Sequence, residues 1–169
     1  MNNQTPKKVL FLCTGNSARS IIAEYLLRAK GQGRFETFSA GALPTGRVNP
    51  LAVWVLKHKY LIDASGARSK SWDEYRTVNF EFVITVCDNA RESCPLWPGQ
   101  PVVAHWGSPD PAVVEGSEEE KQQAFIDVAS QIARRIDLFC ALPAEKLTAL
   151  KLGEIGGQFN YAGKESLAQ

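Results

Sequence analysis

The chain has 169 residues, 44% of them hydrophobic, which suits one domain with a single covered core and leaves little room for a second. Lys and Arg number 19 against 18 Asp and Glu, a formal charge of +1, so no global field recruits nucleic acid or an anionic membrane and any charge selectivity is local. Four cysteines, Cys13, Cys87, Cys94 and Cys140, are scattered through the chain and lack the density of a secreted disulfide scaffold. In chain order, the polar MNNQTPKK precedes an apolar stretch, Val9 to Leu12, far too short for a signal segment or a membrane span, so a cytoplasmic location is expected. Lys8 to Cys13 reads as a buried parallel strand, and Ser17 to Gly31 carries Ile21, Ile22, Tyr25, Leu26 and Ala29 at helical spacing. FETFSAG from Phe35 is a second strand, and Asn49 to Tyr60, with Pro50 at the first helical position, a second helix. Ser71 to Tyr75 adds a short helical turn. FEFVITVC, residues 80–87, is the strongest strand signal, and PVVAHWG from Pro101 is a fourth strand. EEEKQQAFIDVASQIARRIDLF sets Phe125, Val128, Ile132, Ile136 and Phe139 on one stripe, with acidic residues at its start. Residues 1–142 are expected to form the domain and 143–169 an extension, loosely held along the Gly-rich GEIGGQFNYAGKESLAQ.

Alternation of this kind implies a doubly wound α/β domain, in which ligands bind outside the carboxyl ends of the strands. Cys13, Cys87 and the segment HWGSPDP all fall on that rim. The stretch CTGNSARS joins the first strand to the first helix. Its small residues let the backbone amides of Thr14, Gly15, Asn16, Ser17, Ala18 and Arg19 turn inward on an oxyanion, and the helix adds its positive end. Arg19 can grip two oxygens at once, as a lysine cannot. Beneath this cradle a helix N-terminus and a nearby cation would lower the Cys13 pKa from about 8.5 into the range of roughly 3.5 to 7.5, with Ser20 placed to donate to the thiolate. Taken alone, a C-x5-R pair is as readily a buried thiol and a solvated arginine. The strand before, helix after and Ser following the arginine favour the catalytic reading.

CTGNSARS together with HWGSPDPA resembles the low-molecular-weight protein tyrosine phosphatase superfamily, and VCDNARESCP is similar to its arsenate reductase branch, over a stretch from Val9 to Phe139. The resemblance implies a four-stranded parallel sheet flanked by helices, with Asp110 on the loop after the last strand as general acid. An Asp-Pro pair by itself is an ordinary turn signal. Superfamily members that act on phosphotyrosine commonly carry aromatic residues after this pair, whereas Ala112 and Val113 follow here. A phosphatase needs no second thiol, but a reductase must pass two electrons to arsenic and end as a disulfide. Cys87 and Cys94 therefore favour arsenate reduction over phosphatase action or a noncatalytic oxyanion-binding or redox-sensing module. As core or zinc residues they are less apt, since only His58 and His105 could complete a zinc site. Cys140 is expected to be structural.

The implied mechanism binds arsenate, with phosphate as competitor, in the Thr14 to Arg19 loop. Cys13 attacks arsenic, Asp110 protonates the departing oxygen, Cys87 attacks Cys13, and Cys94 then moves the disulfide onto a mobile segment, Asn89 to Ser93. No bound cofactor is expected; thioredoxin, or glutaredoxin with glutathione, is the implied reductant. Some members hold a monovalent cation beside the loop, and Asn16, Glu24 and Ser39 match its ligands. Lys70 stands where an acidic ligand would be, so an ammonium is expected in place of the ion and no metal is required.

Overall fold

A computed structural model describes residues 4–157. Four parallel strands, β1 (Lys7–Cys13), β2 (Phe35–Gly41), β3 (Phe82–Thr85) and β4 (Val102–His105), lie in the order β2-β1-β3-β4. The chain leaves β1 toward β2 on one side and returns to β3 on the other. The strand order thus reverses at the carboxyl end of β1, where doubly wound folds open a crevice. Register aligns that rim: Cys13 pairs with Gly41, Leu12 with Thr85, and Thr85 with His105. All four strands of the expected sheet are present.

The apolar run Val9 to Leu12 and the whole of β3 are buried, as strands covered by helices on both faces must be. Helices α1 (Arg19–Lys30), α2 (Pro50–Tyr60) and α4 (Glu118–Ala141) supply much of the cover. Asn49 caps α2 by accepting from the Leu51 amide at 2.9 Å, with Pro50 following as the sequence predicts. Ser117 and Glu120 close a reciprocal capping box on α4. The stripe Phe125, Val128, Ile132, Ile136 and Phe139 is buried, and Phe139 meets Phe35, Phe82 and Trp106 at centroid distances of 4.9, 5.4 and 5.9 Å. Burying each such aromatic side chain contributes roughly 1.5–3 kcal/mol.

Two expectations fail. The segment after β3, expected as a mobile and poorly packed stretch, is a short helix, α3 (Asp88–Ser93), with Ala90 completely buried. Cys87 sits at its N-cap and the Asp88 carboxylate in its first turn, a charge that favours helix at a positive end. Beyond α4, the chain does not loosen at Gly153. Helix α5 (Ala149–Gly157) packs on β4 and α4, burying Leu152 and Ile155, and the Trp106 indole donates to Leu152 O at 2.9 Å. The rest of the expected tail, residues 158–169, lies outside the described residues. No helix among the described residues is long and apolar enough to cross a membrane.

Candidate active site

The loop between Cys13 and Arg19 owes its shape to where its carbonyls go. Those of Cys13, Thr14, Gly15 and Ser17 accept from the amides of Ala42, Leu43, Thr45 and Asn49. In a planar trans peptide the N–H points opposite to the C=O. With these carbonyls turned outward, the amides of Gly15, Asn16 and Ala18 face the concave side, while that of Thr14 is directed at Cys87. Asn16 takes a left-handed backbone at φ 46°, a conformation asparagine tolerates. Gly41 lets β2 approach: a Cβ there would stand 2.5 Å from Thr14 O.

Behind the loop lies a buried polar network. Asn16 Nδ2 donates to Ser20 Oγ at 2.8 Å and to Ser39 Oγ at 3.0 Å, and Ser39 donates to Glu24 at 3.1 Å. The Lys70 ammonium donates to Asn16 Oδ1 at 3.2 Å, Ser39 Oγ at 3.1 Å and Arg68 O at 3.0 Å. The Lys70 ammonium thus lies against Asn16 and Ser39, two of the residues grouped with it in the sequence. Burial pushes the Glu24 carboxyl up, opposed by the Lys70 and Arg28 charges, and pushes the Lys70 ammonium down, opposed by Glu24. Ser20 differs from expectation: among the described residues its hydroxyl is bonded to Asn16 and not to Cys13.

Cys13 and Cys87 are both free and both 5% exposed, and the two thiols lie near enough to perturb each other. The Thr14 amide donates to Cys87 Sγ at 3.3 Å, and the Thr14 hydroxyl lies equally close. The neighbouring Cys13 thiol is the largest influence on Cys87 and, aided by Thr14 and the Ala90 amide against burial, brings this thiol down to about 5. The neighbouring Cys87 thiol and burial push the Cys13 thiol up, opposed by Arg19. The two thiols titrate as a coupled pair, an influence on Cys13 that the loop sequence alone does not carry. The sequence signal was incomplete because the donor, Thr14, and the acceptor are 73 residues apart.

Arg19 reaches over the same rim. Its Nη1 donates to Ser108 O at 2.8 Å and its Nη2 lies 3.7 Å from Asp110 Oδ2. Its Nε is buried and meets no acceptor among the described residues, a donor that a bound oxyanion would satisfy. Asp110 also caps the short turn Pro111–Val113, accepting from the Ala112 amide at 2.9 Å. The structure brings Cys13, Cys87, Arg19 and Asp110 together. Cys94, the C-cap of α3, is half-buried, its thiol 3.6 Å from Pro95 O, and burial pushes it up. His105, in a segment the sequence singled out without giving it a role, pairs with Asp88 of α3 at 2.9 Å and with Thr85 Oγ1 at 2.8 Å.

A doubly wound sheet that sets a cysteine beneath an amide-lined loop, with a guanidinium and a carboxylate across the rim, defines a phosphatase-like class of α/β proteins. The chain belongs to the low molecular weight phosphotyrosine protein phosphatase family, whose model matches residues 8–149. It is similar to the arsenate reductase of Halalkalibacterium halodurans, 38% identical over 133 residues that span 79% of this chain and 94% of that one. A solved arsenate reductase in its phosphate-binding state superposes with a TM-score of 0.65 at 27% identity, over 80% of this chain and 97% of that one. The thioredoxin-dependent arsenate reductase of Corynebacterium glutamicum matches with a TM-score of 0.55 at 27% identity, over 81% of this chain and 65% of that one.

Proposed function

We propose that the protein reduces arsenate to arsenite with electrons from its own thiols. The observation that carries this reading is the placement of Cys87 beside Cys13 beneath the loop, its Sγ 3.3 Å from both the amide and the hydroxyl of Thr14, the residue next to Cys13. Ester hydrolysis has no use for a second thiol beside the first, whereas a disulfide-forming reduction needs that placement. Arsenate, with phosphate as its competitor, takes the inward amides and the Arg19 guanidinium. The Cys13 thiolate, beside the Arg19 guanidinium, attacks arsenic. An oxygen leaves as water after protonation by Asp110. Cys87 gives its proton to solvent and attacks Cys13 Sγ as a thiolate; the S–As bond breaks, its electron pair stays on arsenic, and arsenite departs. One disulfide has formed and arsenic has gained two electrons. Cys94 then attacks Cys87, frees Cys13 and leaves a Cys87–Cys94 bridge for an external dithiol. Thioredoxin is the favoured reductant, in line with the C. glutamicum relative; glutaredoxin with glutathione is the alternative. Such a cycle belongs in a reducing compartment, the cytoplasm. The same cradle suits slow hydrolysis of a small aryl phosphate.

The test is peptide mapping after one arsenate turnover. Wild type should yield Cys87–Cys94, Cys94→Ser should stop at Cys13–Cys87, and Cys87→Ser should form neither bridge while still hydrolysing an aryl phosphate. Normal arsenate reduction by both variants would replace the relay with phosphatase chemistry. Phosphate binding without either reaction would leave a noncatalytic oxyanion module.

A further inference from the structure

Ser108, buried on the loop that leads from β4 to Asp110, is held by two guanidinium groups. Its carbonyl accepts from Arg19 Nη1 at 2.8 Å, and its hydroxyl accepts from Arg135 Nη1 at 2.9 Å. Arg135 projects from α4 and has no exposed surface. Its Nη2 donates to Gly156 O of α5 at 3.1 Å. Burial lowers this guanidinium to about 10, so it keeps its charge at neutral pH. Taking such a charge out of water is costly, and the return has to come from rigid, well-aimed bonds.

The α5 end of this connection is fixed just as firmly. A Cβ on Gly156 would stand 2.4 Å from His105 O and 2.8 Å from the Trp106 ring, so α5 sits at glycine distance from the end of β4. The Trp106 bond to Leu152 O pins it a turn earlier. The family match ends at residue 149, where α5 begins, so this anchorage lies beyond the part of the chain that the family describes.

We infer that Arg135, braced by α5, is a positioning residue for the oxyanion site. It fixes Ser108, whose carbonyl aims the Arg19 guanidinium and whose backbone leads into the loop bearing Asp110. Touching neither substrate nor thiol, Arg135 acts only through Ser108. The inference rests on reading the Cys13 to Arg19 loop as an oxyanion site.

The experiment uses the full chain with phosphate as probe, alongside arsenate KM and kcat. Ser108→Ala, with its native fold checked by circular dichroism, should bind phosphate about tenfold more weakly, the effect of one misdirected charge-assisted hydrogen bond. Arsenate KM should rise more than kcat falls. Arg135→Lys, which keeps the charge but loses the fork, should fall between wild type and Arg135→Gln. Ser108→Ala combined with Arg135→Gln should be no weaker than Arg135→Gln alone, because both cut one link. Gly156→Ala, which pushes α5 off β4, should weaken phosphate binding in the same direction. Unchanged phosphate affinity in folded Ser108→Ala and Arg135→Lys, or additive losses in the double variant, would overturn the inference and leave the arsenate reading standing. A wild-type chain that binds neither phosphate nor arsenate overturns both.

Discussion

Replacing Ala90 with glycine should accelerate one step of the relay and leave its predecessor alone. Cys87 and Cys94 cap opposite ends of α3. Seven residue steps at about 1.5 Å put their Cα atoms about 10 Å apart, while a disulfide spans at most about 7 Å. The Cys87–Cys94 bridge therefore forms only after α3 opens. Three contacts oppose opening: the buried Ala90 methyl, the Asp88–His105 pair at 2.9 Å, and the bond from the Arg91 amide to Cys87 O at 3.2 Å. Ala90→Gly removes about 1 kcal/mol of helix propensity and about 0.8 kcal/mol of methyl burial. That total of about 1.8 kcal/mol raises the open population about 20-fold. Rapid-quench alkylation with mass mapping would follow both bridges through one turnover. Cys13–Cys87 should form at the wild-type rate, because Cys87 already lies against Thr14 beside Cys13, and its conversion to Cys87–Cys94 should quicken by up to about 20-fold. Hydrogen exchange of the α3 amides should rise in parallel. Faster α3 exchange with an unchanged conversion rate would refute the claim that opening limits the transfer.

Cys13→Ser should abolish arsenate reduction and any aryl phosphatase activity, since a hydroxyl is not ionised near neutral pH; retained reduction in a coupled assay would refute its role. Arg19→Lys should raise the phosphate inhibition constant, because one ammonium cannot serve two oxygens as a guanidinium does. Asp110→Asn should slow the arsenic step by roughly 10²- to 10⁴-fold in single-turnover kinetics while phosphate binding persists. Cys87→Ser should shift Cys13 ionisation to lower pH. The neighbouring Cys87 thiol is the largest influence holding the Cys13 thiol up; without it burial alone still raises Cys13, against Arg19 and the Thr14 amide, which lower it. The pH dependence of Cys13 alkylation reads this directly, and a shift to higher pH would contradict it.

The architecture was legible because its signals are local. Val9 to Leu12, the alternation of strand and helix, Pro50 after Asn49, and the stripe from Phe125 to Phe139 each declare an element within a few residues. The loop was legible for the same reason, since CTGNSARS holds the thiol, the small residues and the guanidinium together. The setting of Cys87 against that loop was not, because Thr14 reaches Cys87 only through the parallel pairing of β1 with β3. Nor was α3: six polar-rich residues carry too weak a pattern to outweigh a loop reading, and only the burial of Ala90 against the sheet decides it.

The C-terminal glycines show how composition misleads when tertiary contact sets the requirement. Glycine weakens an isolated helix, and GEIGG therefore reads as a tail. At Gly156 the missing Cβ is what lets α5 close on His105 O and Trp106, and Gly156 O is then the acceptor for Arg135. Arg135 itself was visible as an anomaly. It lies seven residues after Val128 and next to Ile136, so the helical period turns it toward the core, where an arginine is rarely buried without bonded partners. A charged residue on the apolar stripe of a helix asks what it serves. Here it donates to Ser108, the residue whose carbonyl receives Arg19. The glycine that looked like looseness and the arginine that broke the stripe belong to one connection, running from the C-terminal helix to the oxyanion loop.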